Sequence, residues 1–223
     1  MTFSLVARDA TGAFGAAICS SSPAVAARCV HLADGVGGVN SQNVTDPRLG
    51  PALLGHLRDG RSAAAALDAV TSSTPSIDHR QLLVVDDAGR AAAFSGQRAL
   101  GVFGDAVGDG VAAGGNMLAA ARIPQLMVDA FTAAGGDLEE RLLAAVRAAV
   151  AAGGEAGPVH SAGLSVVRDA GWRVTDLRVD WTDADPVAEL ERLVELWLPQ
   201  RDDYVTRGLD PTAAPTYGVP GDE

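Results

Sequence analysis

Three short turns, each opening on aspartate and closing on glycine, join pairs of strand-like runs, and they constrain the fold more than any other feature. They are Asp9-Ala10-Thr11-Gly12, Asp87-Ala88-Gly89 and Asp169-Ala170-Gly171. The flanking runs are residues 3–8 and 13–20, then 81–86 and 90–94, then 161–168 and 172–179. Short turns of this chemistry close hairpins, so the runs pair antiparallel. The first pair is apolar at nearly every position, which predicts a sheet covered on both faces.

Helix pairs stand between the strand pairs. After an apolar run at residues 35–40 and a polar loop through Asp46 and Pro47, helices are expected at 51–59, with Pro51 in the first turn and Gly60 past the end, and at 63–72, with Ser62 as cap. A second pair is expected at 124–134, stopping at Gly135-Gly136, and at 138–152, where Asp137 and Glu140 form a capping box. Within the latter, Leu138, Leu142, Val146 and Val150 recur at spacings of four and make one apolar stripe. A last helix at 187–198 carries Leu190, Val194, Trp197 and Leu198 on one side; such a stripe serves core packing or, alternatively, a homo-oligomer contact.

Strand pairs alternating with helix pairs predict an α+β protein, a four-layer αββα sandwich of two stacked antiparallel sheets flanked by helices. A Rossmann fold does not fit, because Gly35-Val36-Gly37-Gly38-Val39-Asn40 lacks the third glycine of the dinucleotide fingerprint. With 223 residues the chain supports one domain, read here as residues 1–198 followed by a tail at 199–223 that turns polar after Pro199 and contains Pro211, Pro215 and Pro220.

Composition narrows the chemistry. Acidic residues outnumber basic ones 28 to 17, for a formal charge of -11, which argues against nucleic acid or an anionic membrane surface as partner. All 17 basic residues are arginine. The absence of lysine excludes Schiff-base and pyridoxal chemistry, a Walker loop and a lysine general base. No signal peptide and no membrane-spanning run is evident, so a cytoplasmic protein is expected. Neither metal nor organic cofactor is expected: His31, His56, His79 and His160 match no zinc spacing, and Cys19 and Cys29 form no CxxC pair. Cys19 lies in an apolar run, which disfavours it as a nucleophile.

The remaining candidate is Thr2. Removal of Met1 would leave a threonine carrying both a hydroxyl and a free α-amine, a recognised nucleophile arrangement that needs neither lysine nor histidine. The first hairpin sets Thr2 opposite roughly residues 19–21, beside Ser20, Ser21 and Ser22, whereas Asp9 is about 23 Å away along the strand. Asn116, in Gly114-Gly115-Asn116-Met117, is the candidate oxyanion donor together with a neighbouring backbone amide, although spacing alone reads more simply as a glycine loop before a helix. Ser20, Ser21, Ser22 and Gln42 are candidates to orient the amine or bind substrate. Arg80 could hold a substrate carboxylate or pair with an acid inside the fold.

The segments MTFSLVARD, SSPAVA, HRQLLVVDDAGRAAAFSG, GGNML and DLRVDWTDADPVAELERL occur in order and resemble an uncharacterised bacterial family, domain of unknown function 1028, which is grouped with the Ntn-hydrolase-like proteins. The resemblance covers residues 2 to about 198. It implies an αββα sandwich and an amino-terminal nucleophile, which by position is Thr2. Two departures stand out. Proteasome-like members of the wider superfamily place a lysine near the nucleophile, and this chain has none. Where members of the family often carry threonine-glutamine, this chain has Ser41-Gln42, so Gln42 matches. The expected activity is an Ntn-type amidohydrolase acting on a small amide or peptide-like bond. The alternative is a non-catalytic binding or scaffold protein that keeps the same fold.

Overall fold

A computed structural model describes residues 1–219; Pro220, with the rest of the expected tail beyond it, lies outside the described residues. The chain runs β1 (Thr2–Arg8), β2 (Phe14–Ser20), α1 (Val25–Cys29), β3 (Val30–Ala33), β4 (Gly37–Asn43), α2 (Leu49–Arg58), α3 (Ala63–Ser73), β5 (Arg80–Asp86) and β6 (Ala91–Ser95). It continues with β7 (Gly104–Gly108), β8 (Val111–Asn116), α4 (Ile123–Ala133), α5 (Leu138–Ala151), β9 (Ser161–Val167), β10 (Arg173–Val179) and α6 (Pro186–Leu209). All pairings between these strands are antiparallel. One sheet has the order β10-β9-β2-β1-β8-β7 and the other β3-β4-β5-β6.

Three apolar layers hold the stack together. Alternation along β1 sends Phe3, Leu5 and Ala7 outward against α4 and α5, while Val6 points inward at the other sheet. The middle layer is built from Val6, Phe14, Ala16 and Ile18 of one sheet against Leu83 and Val85 of the other. On the far side, α2 and α3 cover the four-stranded sheet through Leu53, Leu57, Ala66 and Val70. The result is the αββα sandwich expected from the element order. Close approach of the sheets depends on Gly38, where a Cβ would come within 2.4 Å of Val6 Cγ2.

An aspartate carboxylate fixes each hairpin turn as an acceptor. Asp9 lies within the first turn and Asp86 at the end of β5 in the second. Asp34, from the loop after β3, serves the third, where it takes the Asp169, Ala170 and Gly171 amides at 3.1 Å. Asp9 Oδ1 accepts from the Thr11 and Ala13 amides at 2.9 and 3.0 Å. Asp86, fully inside, takes the Ala88 and Arg90 amides on one oxygen and the Ala63 amide at the start of α3 on the other. In this way a turn residue also caps a helix.

Three expectations need correction. The glycine-rich stretch expected as a loop forms β7 and β8, so Asn116 sits in a strand. The short elements α1 and β3 were not anticipated. The helix expected to stop before Pro199 runs on to Leu209. Arg201, only 5% exposed, accounts for that: its guanidinium pairs with Glu139 at 3.1 Å and with Asp137 at 3.0 Å, fastening the second half of α6 to the start of α5. Among the described residues no helix is long and apolar enough to cross a membrane.

Candidate active site

At one end of the sandwich the polar residues gather that the apolar middle layer leaves out. Thr2 pairs with Ser20 on β2 and with Asn116 on β8, so three inward-facing polar side chains meet at the start of the central strand. Thr2 is 5% exposed and Ser20 and Asn116 are fully buried. The Thr2 and Ser20 hydroxyl oxygens stand 3.3 Å apart. Both hydroxyls donate to the carbonyl oxygen of Met1, Thr2 at 2.5 Å. The Ser22 amide donates to Ser20 Oγ at 3.0 Å, which makes that hydroxyl a stronger donor in turn.

Behind this group a relay of neutral side chains crosses between the sheets. Asn40 Nδ2 donates to Ser4 Oγ at 2.9 Å, and the Ser4 hydroxyl to Gln42 Oε1 at 2.6 Å. Gln42 Nε2 donates to Gln81 Oε1 at 2.7 Å. Gln81 Nε2 then finds Ser95 Oγ and the Gly104 and Gly115 carbonyls, which fixes its orientation. Asn116 Nδ2 joins at Gln81 Oε1, 3.3 Å away, leaving Asn116 Oδ1 buried without a partner.

The expected residues divide accordingly. Thr2, Ser20 and Asn116 converge, and Ser22 lines the same cleft. Ser21 is adjacent, its amide directed to a carboxylate described below. Gln42 lies within the relay, tied to Ser4 and Gln81. Arg80 donates to the Val44 carbonyl and is outside the cleft lining. The backbone amides of Met117 and Leu118 are already spent on the Leu100 and Val102 carbonyls at 2.8 Å, which leaves Ser20 as the hydroxyl donor nearest Thr2. Cys19 is fully buried facing the helices, and burial pushes its thiol far above its ordinary range, so it is no nucleophile.

Sequence reasoning missed Glu155. It follows α5 in the loop Gly153-Gly154-Glu155-Ala156-Gly157, is 5% exposed, and bridges to Leu118 just past β8. Both carboxylate oxygens accept from the Ser21 amide, at 3.2 and 3.3 Å. Burial raises its pKa to about 7, against the pull of the amino terminus, the Ser21 amide and His160. The signal available in the sequence was a lone acid in a run of glycine and alanine, where a solvated acid has no helical or turn role.

The cleft over Thr2 has a volume of about 340 Å³ and is walled by Met1, Ser22, Arg28, Asn43 and Thr45. A cavity of about 370 Å³ at the other end of β1, around Arg8, Asp9 and Asp109, is bounded by turns and offers no nucleophile.

A family model described as a family of unknown function (DUF1028) matches residues 2–190. Among solved structures, protein SPO2555 from Silicibacter pomeroyi, labelled with the same family model, is 32% identical with a TM-score of 0.85, covering 92% of this chain and 90% of that one. Anbu (ancestral beta-subunit) from Yersinia bercovieri gives 10% identity and a TM-score of 0.40 over 88% of this chain and 97% of its own. An Anbu mutant from Hyphomicrobium sp. strain MC1 gives 12% and 0.42 over 90% and 96%. No curated protein matches.

Proposed function

The chain belongs to the family of unknown function DUF1028, and from its site we propose that it is an Ntn-type amidohydrolase with Thr2 as nucleophile after removal of Met1. The observation that carries this reading is the Thr2 hydroxyl, buried at the floor of a cleft and flanked by Ser20 and Asn116. Once Met1 is gone, the α-amine of Thr2, with an ordinary pKa of about 7.7–8.0, takes the hydroxyl proton. The oxygen attacks a small amide; the Ser20 hydroxyl and the Asn116 amide hold the developing oxyanion. The proton passes to the leaving amine, and water hydrolyses the Thr2 ester. The scheme uses neither lysine, metal nor cofactor.

A specific observation favours a second reading for the unprocessed chain. With Met1 in place both hydroxyls are tied to its carbonyl, and the nitrogen that would act as base is an amide. That form is a binding protein without a nucleophile.

Intact mass spectrometry of untagged protein, followed by incubation with a β-lactone acylating probe, decides between them. Loss of one methionine and a single acyl adduct on Thr2, absent in Thr2→Ala, supports the hydrolase. Retained methionine, or an adduct that persists in Thr2→Ala, overturns it.

A further inference from the structure

Glu155 poses a physical problem. A buried carboxylate is costly unless a cation or several donors meet it. Among the described residues no arginine forms an ion pair with Glu155, the chain has no lysine, and its hydrogen bonds come from the amide and side chain of Ser21, both neutral donors. The charge that pulls most strongly on it is the α-ammonium of Met1, with His160 contributing less. Glu155 is therefore short of a permanent cation, since Arg28, in the wall of the cleft, spends its guanidinium on the Pro23 and Ala24 carbonyls.

Met1 marks the space beside it. Its carbonyl oxygen accepts from the Thr2 and Ser20 hydroxyls, one residue from the Ser21 amide that Glu155 holds, and its thioether lies over Gly157, two residues on from Glu155. Its ammonium makes no ion pair with Glu155 but influences it across that space. Carbonyl and side chain of one aminoacyl unit each have a place, with a carboxylate close by for the amine. A Cβ at Gly157 would come within 3.3 Å of the Met1 Cε atom, so glycine leaves the room that the side chain fills.

We propose that the space occupied by Met1 is the acyl subsite of the mature protein and that it takes an aminoacyl group with a free α-amine, Glu155 receiving the ammonium. The substrate class is then an amino-acid amide or short peptide with an unblocked amino terminus and an unbranched apolar side chain. This rests on the amidohydrolase reading above. A substrate carbonyl stands back from the freed Thr2 amine by about 2 Å more than Met1 does, the difference between a peptide bond and a contact. In the reaction the Thr2 Oγ1–carbon bond forms and the carbon–nitrogen bond breaks. The hydroxyl proton leaves on the amine product, and one water then releases the free amino acid.

The test separates binding from catalysis. Calorimetric titration of the Met1-free Thr2→Ala variant with methionine amide and with N-acetylmethionine amide reads the subsite alone. The free amine should bind about 10–100-fold more tightly, the range of a hydrogen bond to a charged group. Adding Glu155→Gln, which keeps an acceptor for the Ser21 amide, should bring the two ligands within about threefold; its fold is checked by thermal melting. Equal binding of both ligands, or a preference that survives Glu155→Gln, overturns the proposal even if the protein hydrolyses amides. Preferential binding that depends on Glu155 upholds the subsite, and absence of turnover of methionine p-nitroanilide by the protein carrying Thr2 then counts against the amidohydrolase reading instead.

Discussion

Replacing Arg201 by methionine should destabilise the protein severely while leaving the shape of α6 nearly intact. Methionine fills most of the volume of the arginine stem, so the main loss is the guanidinium. Glu139 is 2% exposed; one of its oxygens accepts from the Thr175 hydroxyl at 2.6 Å and the other from Arg201 at 3.1 Å. Without the arginine that second oxygen has no donor and the charge no partner, a situation that costs about 3–5 kcal/mol. The contacts of Arg201 with Asp137 and Asp202, both exposed, add little. At roughly 2–4 °C per kcal/mol for a chain of this size, a loss of about 4 kcal/mol lowers Tm by about 8–16 °C. Far-UV circular dichroism melts at pH 7 of Arg201→Met and of Glu139→Gln/Arg201→Met provide the assay. The double variant retains an amide oxygen for Thr175 and should recover most of the loss. A single-variant loss under about 1 kcal/mol, or a double variant no more stable than the single, would refute the reasoning.

Other consequences are as direct. Glu155 has a folded pKa of about 7, above its unfolded value of about 4.3, so its contribution is fully present below the unfolded value and is lost as pH rises through 7. Glu155→Gln should therefore melt a few degrees above the parent at pH 8 and no higher at pH 4; equal differences at both would contradict the burial argument. Gly38→Ala should cost about 1–3 kcal/mol in urea titrations, since the new methyl meets Val6 and Leu32, at 2.4 and 3.0 Å, in the layer between the sheets. Cys19 should resist iodoacetamide in the native protein and react only in denaturant, which peptide mass mapping reads; rapid native alkylation would show the strand end to be open.

How much of this could be read from the residues depended on where information is local. Hairpins are local: the aspartate and glycine of each turn, with an apolar run on either side, placed β1 with β2, β5 with β6 and β9 with β10, and set Thr2 within a residue of its actual partner Ser20. The β7–β8 hairpin was illegible because Gly104–Asn116 carries the small residues that crowding demands rather than the β-branched ones strands prefer. A Cβ at Gly115 would lie 2.6 Å from Leu118, and one at Gly114 3.0 Å from Leu83. Likewise Pro199 signals a helix end, and only the distant Glu139 explains why α6 passes through it. The site showed the same division. Thr2, Ser20 and Asn116 lie on paired strands, whereas Glu155 comes from a loop more than 100 residues further on, and nothing beside it in the chain reveals that it is buried.

The relay from Asn40 through Ser4, Gln42 and Gln81 to Asn116 contains only amides and hydroxyls. No member gains or loses a proton between about pH 4 and 9. Its dipoles were oriented when the chain folded, so they do not rotate to meet a charge that appears at Thr2. Of the ionisable groups near that site, Arg28 lines the cleft with its guanidinium on the Pro23 and Ala24 carbonyls, and Glu155 lies outside the relay with its carboxylate on the Ser21 amide. The molecule thus separates a permanent electrostatic scaffold from a single buried carboxyl beside it: acidity can alter the charge on Glu155, while the geometry that greets whatever enters the cleft stays the same.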